Sequence, residues 1–287
     1  AQLRKSINIY RQAPCSPSVD RVSSVIVTGM GGSAIGGDLL MSLVEGEMPV
    51  PMTVTRGYRL PAWVGADTLM IGVSYSGNTE ETLSAFREGL ERGASAYAVT
   101  GGGKLGELTL AEGIPCAKIP SGMPPRCALG YLFAPTLLAL AGAGLISPQE
   151  ENLREAAQVV GALGRSYAPN SNGEKNLAWK LALELQGMIT VIYGSAGVTE
   201  AVARRWKTQI NENSKAMAFH QVVPEMNHNE IEGWSAQPEL AARTAALFLR
   251  DTDDHPSVAQ RMEISRTILE EKGLVAREFR SRGESRL

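Results

Sequence analysis

Two glycine- and hydroxyl-rich turns carry the most readable chemistry in this chain. The first, VTGMGGSAIGGDLL from Val27 to Leu40, follows an apolar run and opens a helical pattern, and the second, SYSGNTEET from Ser74 to Thr82, does the same. A helix N-terminus offers unpaired backbone N–H groups and a partial positive charge, and hydroxyls complete the solvation of a phosphate oxygen by oxygen. Ser74, Ser76 and Thr79 around Gly77, with Gly31, Gly32 and Ser33 beside them, are therefore candidate ligands of a phosphate monoester. The ordinary alternative for the second turn is a capped helix, with Asn78 or Thr79 as cap and two surplus serines. Two such loops at the carboxyl ends of neighbouring parallel strands converge on one crevice, which favours phosphate.

Whose phosphate it is needs a wider reading. Gly29-Met30-Gly31-Gly32-Ser33-Ala34 fits the relaxed dinucleotide fingerprint GxGxxA, but the next strand ends at Thr55-Arg56 instead of an acidic residue that would hold ribose hydroxyls. Arg56 would suit a phosphorylated ribose, so an NADP-dependent oxidoreductase stands as a minor alternative. No GxxxxGK[ST] occurs, which removes the common triphosphate-binding loop.

The elements that must position these turns follow from periodicity. Apolar runs at 23–29, 48–56, 68–76, 94–101 and 114–120 predict buried strands, and the stretches between them carry helical patterns, including a long apolar helix around 128–143. Turn formers concentrate at 164–176, where a linker is expected. Strand-like runs then restart at 188–195, 216–223, 243–251 and 274–281, with helical patterns over 197–214 and 255–273. The expected class is α/β, with two successive parallel-sheet domains flanked by helices, 1–160 and 161–287.

Three segments together, GMGGSAIGGDLL, SYSGNTEET and NENSKAMAFHQVVPEMNHNEIEGW, resemble the bifunctional phosphoglucose/phosphomannose isomerases, which are built from two sugar isomerase (SIS) domains. The resemblance runs from about residue 23 to the end, and its last segment is more distinctive than any glycine loop. It implies that Ser74, Ser76 and Thr79 hold a sugar phosphate, with Ser33 and the amides of Gly31 and Gly32 beside them. Moving a carbonyl from C1 to C2 of an aldose phosphate needs a carboxylate that takes the C2 proton and returns it to C1 through an enediol. The resemblance places that base on Glu212, whose ordinary reading is a solvated residue at a predicted helix end. Ring opening needs a group that moves a proton between O5 and O1, and the resemblance places it on His228, contributed in trans within a homodimer. His220 lies inside an apolar run and reads as a core residue, and His255, beside Pro256 at a helix start, reads as a cap or surface residue. Arg126 in SGMPPRCALGYLF matches the family's loop arginine, which would stabilise the enediolate. Family members also carry a C-terminal helical segment with a lysine at the sugar. No residue here is assigned that role, and the second domain is expected to be incomplete at Leu287.

Composition bounds the remaining classes. Lys plus Arg total 28 against 30 Asp plus Glu, which removes the electrostatic excess of non-specific nucleic-acid binding. Cys15, Cys116 and Cys127 form no zinc or disulfide pattern and favour a reducing, cytoplasmic setting. No apolar run reaches the roughly 18 residues of a membrane span, and the start has no secretory signal. No carboxylate and histidine set has metal-ligand spacing, so a reaction without metal or other cofactor is expected. The expected activity is isomerisation between glucose 6-phosphate and fructose 6-phosphate, and mannose 6-phosphate as well. The alternative from another class is a non-catalytic SIS module that senses a phosphosugar, which would need the clamp but neither Glu212 nor His228.

Overall fold

Short runs rich in Val, Ile and Leu become parallel strands where helices can cover both faces, because such strands bury every side chain. The computed structural model describes residues 1–17, 22–169, 176–236 and 238–287. It divides into two compact units, residues 1–158 with 285–287, and residues 159–284.

Unit 1 begins with α1 (Gln2–Gln12), then β1 (Ser24–Thr28), α2 (Gly32–Val44), β2 (Met52–Thr55), β3 (Thr68–Ser74), α3 (Glu80–Glu91), β4 (Ser95–Thr100), α4 (Gly103–Ala111), β5 (Cys116–Lys118) and α5 (Leu129–Gly142). The division into units falls within α6 (Glu150–Ser166). The strands form a parallel sheet in the order β2-β1-β3-β4-β5, with Val27 opposite Ile71 and Thr28 opposite Gly72. Alternation sorts the side chains: Val25, Val27, Ile71 and Val99 join one buried cluster with α5, whereas Ile26, Met70 and Ala98 join another with α3. Gly72 makes room on the second face, since a Cβ there would stand 2.5 Å from Cδ2 of Phe86. Truncating the fully buried Phe86 to Ala would cost about 3–5 kcal/mol. Helix α5 is apolar on every side because the sheet, α1 and α2 all pack against it.

Unit 2 contains α7 (Leu177–Glu184), β6 (Ile189–Ser195), α8 (Glu200–Gln209), β7 (Ala218–Val223), the short helices α9 (Glu230–Gly233) and α10 (Pro238–Ala241), β8 (Thr244–Arg250), α11 (Pro256–Glu271) and β9 (Val275–Arg280). Its parallel order, β7-β6-β8-β9, repeats the logic of unit 1: the first strand pairs its successor on one side and the third strand on the other. Tyr193 of β6 stacks on Phe248 of β8 at 5.0 Å on the face covered by α11, and Trp206 of α8 meets Phe279 of β9 at 5.3 Å on the other.

Each strand-like run of the sequence forms a strand, and the expected apolar helix is α5. Helices α1, α6 and α7 went unread. The partners of α1 are distant in sequence: its Ser6 hydroxyl donates to the Gly130 carbonyl at 3.2 Å. Of the linker expected at 164–176, residues 170–175 lie outside the described residues, and α6 extends to Ser166. Among the described residues no helix is long and apolar enough to cross a membrane.

Candidate active site

The sheet of unit 1 reverses its direction of succession between β1 and β3, so the loops after these two strands face one crevice at their carboxyl ends. The loop after β3 is drawn tight by its own hydroxyls. Ser74 Oγ lies 3.0 Å from Thr79 Oγ1 and accepts from the Gly77 amide at 3.1 Å, while Ser76 Oγ accepts from the Asn78 amide at 3.2 Å. Gly77 adopts φ +70°, and a Cβ there would lie 1.7 Å from the Gly102 carbonyl oxygen, so only glycine closes this turn. Thr79 stands at the N-cap of α3, but no side chain caps the helix. The capping expected of Asn78 or Thr79 is therefore corrected: Thr79 pairs with Ser74, and Asn78 Oδ1 accepts from the Lys104 amide at 3.1 Å. The first-turn amides of α3 stay without a side-chain acceptor beside two hydroxyls, which is the arrangement that receives an oxyanion.

The loop after β1 supplies the other wall. Gly31 caps α2 at φ +53°, again without a side-chain cap, and Ser33 behind it is buried. Arg126 comes next to this loop, because a Cβ on Gly32 would lie 3.5 Å from the Pro125 carbonyl oxygen and 3.8 Å from Cα of Arg126. Two residues overlooked in the sequence hold the Arg126 loop. The Tyr75 hydroxyl, within the clamp turn, accepts from the Met123 amide at 2.9 Å; Gln2 of α1 donates to the Cys127 carbonyl at 2.7 Å and accepts from the Gly130 amide at 3.0 Å. Unit 1 thus brings Gly31, Gly32, Ser33, Ser74, Ser76, Thr79 and Arg126 to one edge. Arg56, considered above for a ribose phosphate, forms an ion pair with Asp38 of α2 instead.

Unit 2 carries the carboxylate and the imidazole. Glu212 does not end an α-helix, as the periodicity suggested, but sits in a π-helical turn, Ile210–Ser214, that continues α8. Such turns hold an extra residue against the helical register and recur at functional sites. Lys215 closes the turn in the left-handed conformation, φ +55°, and its Nζ donates to the Glu212 carbonyl at 2.7 Å. After β7, the MNHNEIEGW segment is anchored at several points. Met226 is fully buried, Asn227 Nδ2 donates to Ser265 Oγ of α11 at 2.7 Å, and the Tyr193 hydroxyl donates to Glu230 Oε1 at 2.6 Å. Burial, and after it the neighbouring Glu230 carboxylate, raises the Tyr193 pKa, so the phenol keeps its proton for this bond. His228 is left exposed at the end of the turn Glu225–His228. Glu212 precedes β7 and His228 follows it, so they lie toward opposite ends of that six-residue strand. His255 caps α11, its Nδ1 accepting from the Ser257 amide at 3.2 Å, and His220 lies on β7.

Both sheets are doubly wound parallel sheets, the class of open α/β fold that takes ligands at the switch point. The tagatose-6-phosphate ketose/aldose isomerase of Escherichia coli shares that fold, with a TM-score of 0.65 at 15% identity over 96% of this chain and 73% of its own. Residues 174–287 match the bacterial phospho-glucose isomerase C-terminal SIS domain. A bifunctional phosphoglucose/phosphomannose isomerase of Caldicellulosiruptor bescii is 42% identical over 100% of this chain and 84% of its own, and one of Aquifex aeolicus is 36% identical over 92% and 78%. The chain belongs to the bifunctional phosphoglucose/phosphomannose isomerase family.

Proposed function

We propose that the chain interconverts hexose 6-phosphates, glucose 6-phosphate with fructose 6-phosphate and mannose 6-phosphate with the same ketose, without a cofactor. The observation that carries this reading is the Ser74–Thr79 hydroxyl pair on the uncapped start of α3, in a chain of this family. That pair and Ser76, with the amides of Gly31 and Gly32 and with Ser33, bind the 6-phosphate, which fixes the far end of the sugar. Glu212 takes the proton from C2 of the aldose; the electrons of that C–H bond form the C1–C2 double bond of the enediol as O1 is protonated. Returning the proton to C1 from Glu212, with loss of the O2 proton, gives the ketose. Arg126 stabilises the negative charge that develops on the two oxygens, as a planar guanidinium that stays charged throughout. His228 moves a proton between O5 and O1 to open the ring. Because β7 separates Glu212 from His228 within a chain, the histidine serves the site of a neighbouring subunit, and the working form is a homodimer. The unpaired cysteines Cys15, Cys116 and Cys127 suit the reducing cytoplasm.

Fructose 6-phosphate incubated with the protein in D2O is the direct test. The expected NMR spectrum shows glucose 6-phosphate and mannose 6-phosphate, both deuterated at C2. Binding without turnover would replace this reading with that of a phosphosugar sensor, and turnover without deuterium would exclude a solvent-exchanging enediol route.

A further inference from the structure

Unit 2 has a switch-point crevice of its own, between the carboxyl ends of β6 and β8, where a parallel sheet of this order takes a ligand. A hydroxyl pair stands there as well. Ser195 Oγ, at the end of β6, lies 3.1 Å from Thr199 Oγ1, at the start of α8, close to the 3.0 Å between Ser74 and Thr79 in unit 1. Both residues are buried, and no side chain caps α8.

The turn after β8 differs in kind from its counterpart after β3. Where unit 1 has Ser74-Tyr75-Ser76-Gly77, unit 2 has Arg250-Asp251-Thr252-Asp253-Asp254, and the Asp254 carboxylate turns into the crevice. Its Oδ1 accepts from Ser195 Oγ at 2.5 Å; its Oδ2 accepts from Arg250 Nε at 3.2 Å and from the Asp251 amide at 3.0 Å. The direction of the first bond follows from the hydrogens available. Thr199 gives its own to the Leu249 carbonyl at 2.9 Å, and Thr199 Oγ1 accepts from the Ser195 amide at 2.8 Å, so the Ser195 hydrogen is the one aimed at the carboxylate. The side chains of Arg250 and Asp254 are only 7% and 2% exposed. Hydroxyl, guanidinium and backbone amide are the donor set that proteins use for a bound carboxylate or phosphate.

We propose that the switch-point crevice of unit 2 is an anion site whose occupant is the chain's own Asp254 carboxylate, and that this internal ligand closes unit 2 to outside phosphates and carboxylates. An ordinary buried ion pair would need Arg250 alone, and Arg250 already has a second carboxylate in Glu278, 2.9 Å from its Nη1. The serine hydroxyl and the Asp251 amide are the excess that marks a cradle. The inference stands apart from the catalytic reading, since it uses none of the residues placed in the reaction.

Removing the carboxyl group should open the cradle to a free anion. In thermal melts of D254A, sodium formate should raise a midpoint that the substitution has lowered by several degrees, and the rise should saturate, whereas sodium chloride at equal ionic strength should not reproduce it. The wild type should show no formate-specific rise in the same range. D254N keeps the side chain's volume and fills the space, so it should melt low and stay low in formate. If D254A is recovered only unfolded, the comparison passes to its refolding yield from urea, which should be several-fold higher in formate than in chloride. A D254A protein that melts like the wild type, or one that gains no more from formate than from chloride in melt or refolding, would overturn the proposal.

Discussion

Thr79 occupies a helix-cap position without capping, so the start of α3 has no acceptor from its own cap residue. A threonine at an N-cap normally gives its oxygen to an amide of the first turn, worth about 1 kcal/mol. Here that oxygen pairs with Ser74 at 3.0 Å, and on the proposed reading the amides of the helix start serve the sugar phosphate. Thr79→Val should therefore weaken binding of any hexose 6-phosphate by about 1–3 kcal/mol, with Thr79→Ser retaining most of the affinity. Ser76→Ala should act in the same sense, and glucose and mannose 6-phosphates should lose affinity alike in calorimetric titrations. A loss confined to one epimer would mean that these hydroxyls read C2 and not the phosphate. Glu212→Gln tests the opposite kind of residue. The amide keeps the shape and cannot accept a proton, so turnover of both aldoses should fall by about 10²-fold or more while competitive inhibitors still bind. Retention of more than about a tenth of wild-type turnover would remove Glu212 from the role of base.

The loop that carries Arg126 is a short turn, Pro125–Cys127, too small to hold its own shape, so other elements hold it. Tyr75 ties it to the clamp turn and Gln2 ties it to α1. Tyr75→Phe leaves the Met123 amide without its acceptor, which should cost about 0.5–1.5 kcal/mol of stability. If Arg126 acts mainly on the enediolate, the same variant should lower kcat more than it raises KM, as steady-state rates with fructose 6-phosphate would record. These ties also mark what a sequence can and cannot disclose. The strands and the Ser74–Thr79 turn were legible because continuous apolar runs bounded by turn residues, glycine at a positive φ and hydroxyls at a helix start are local signals. The role of Gln2 was not, since its partners Cys127 and Gly130 lie more than a hundred positions away, and only the packing of α1 on α5 brings them near. Nor was the π-turn around Glu212, because apolar periodicity does not register one additional residue at a helix end. Asp254 gave no local signal, because its burial against Ser195 depends on two strands meeting.

At the scale of the molecule, two predictions concern stability and assembly. In unit 1 burial pushes the Cys15 thiol up to about 12, against about 8.5 for an unfolded cysteine. The folded form therefore keeps a proton that the unfolded form releases, so this contribution is complete below pH about 8.5 and is lost as pH rises toward 12. Urea midpoints should fall above pH about 8.5, with a slope of at most about 1.4 kcal/mol per pH unit from this group, and Cys15→Ala should flatten that slope. An unchanged slope in the variant would assign the alkaline loss to other groups. The proposed assembly in trans rests on β7, whose six residues stand between Glu212 and His228 in each chain. In a two-fold dimer the same surface serves both subunits, so a histidine displaced from its own glutamate can meet the glutamate of its neighbour. Glu212→Gln chains retain the histidine and His228→Ala chains retain the glutamate, and each homodimer alone should be inactive. After subunit exchange at equal amounts, half the dimers are mixed. If the histidine acts in trans, each mixed dimer holds one site with both groups intact and one with neither, so activity should recover to about a quarter of wild type. If it acts in cis, every site in every mixed dimer lacks one group, and demonstrated mixed dimers will stay as inactive as their parents.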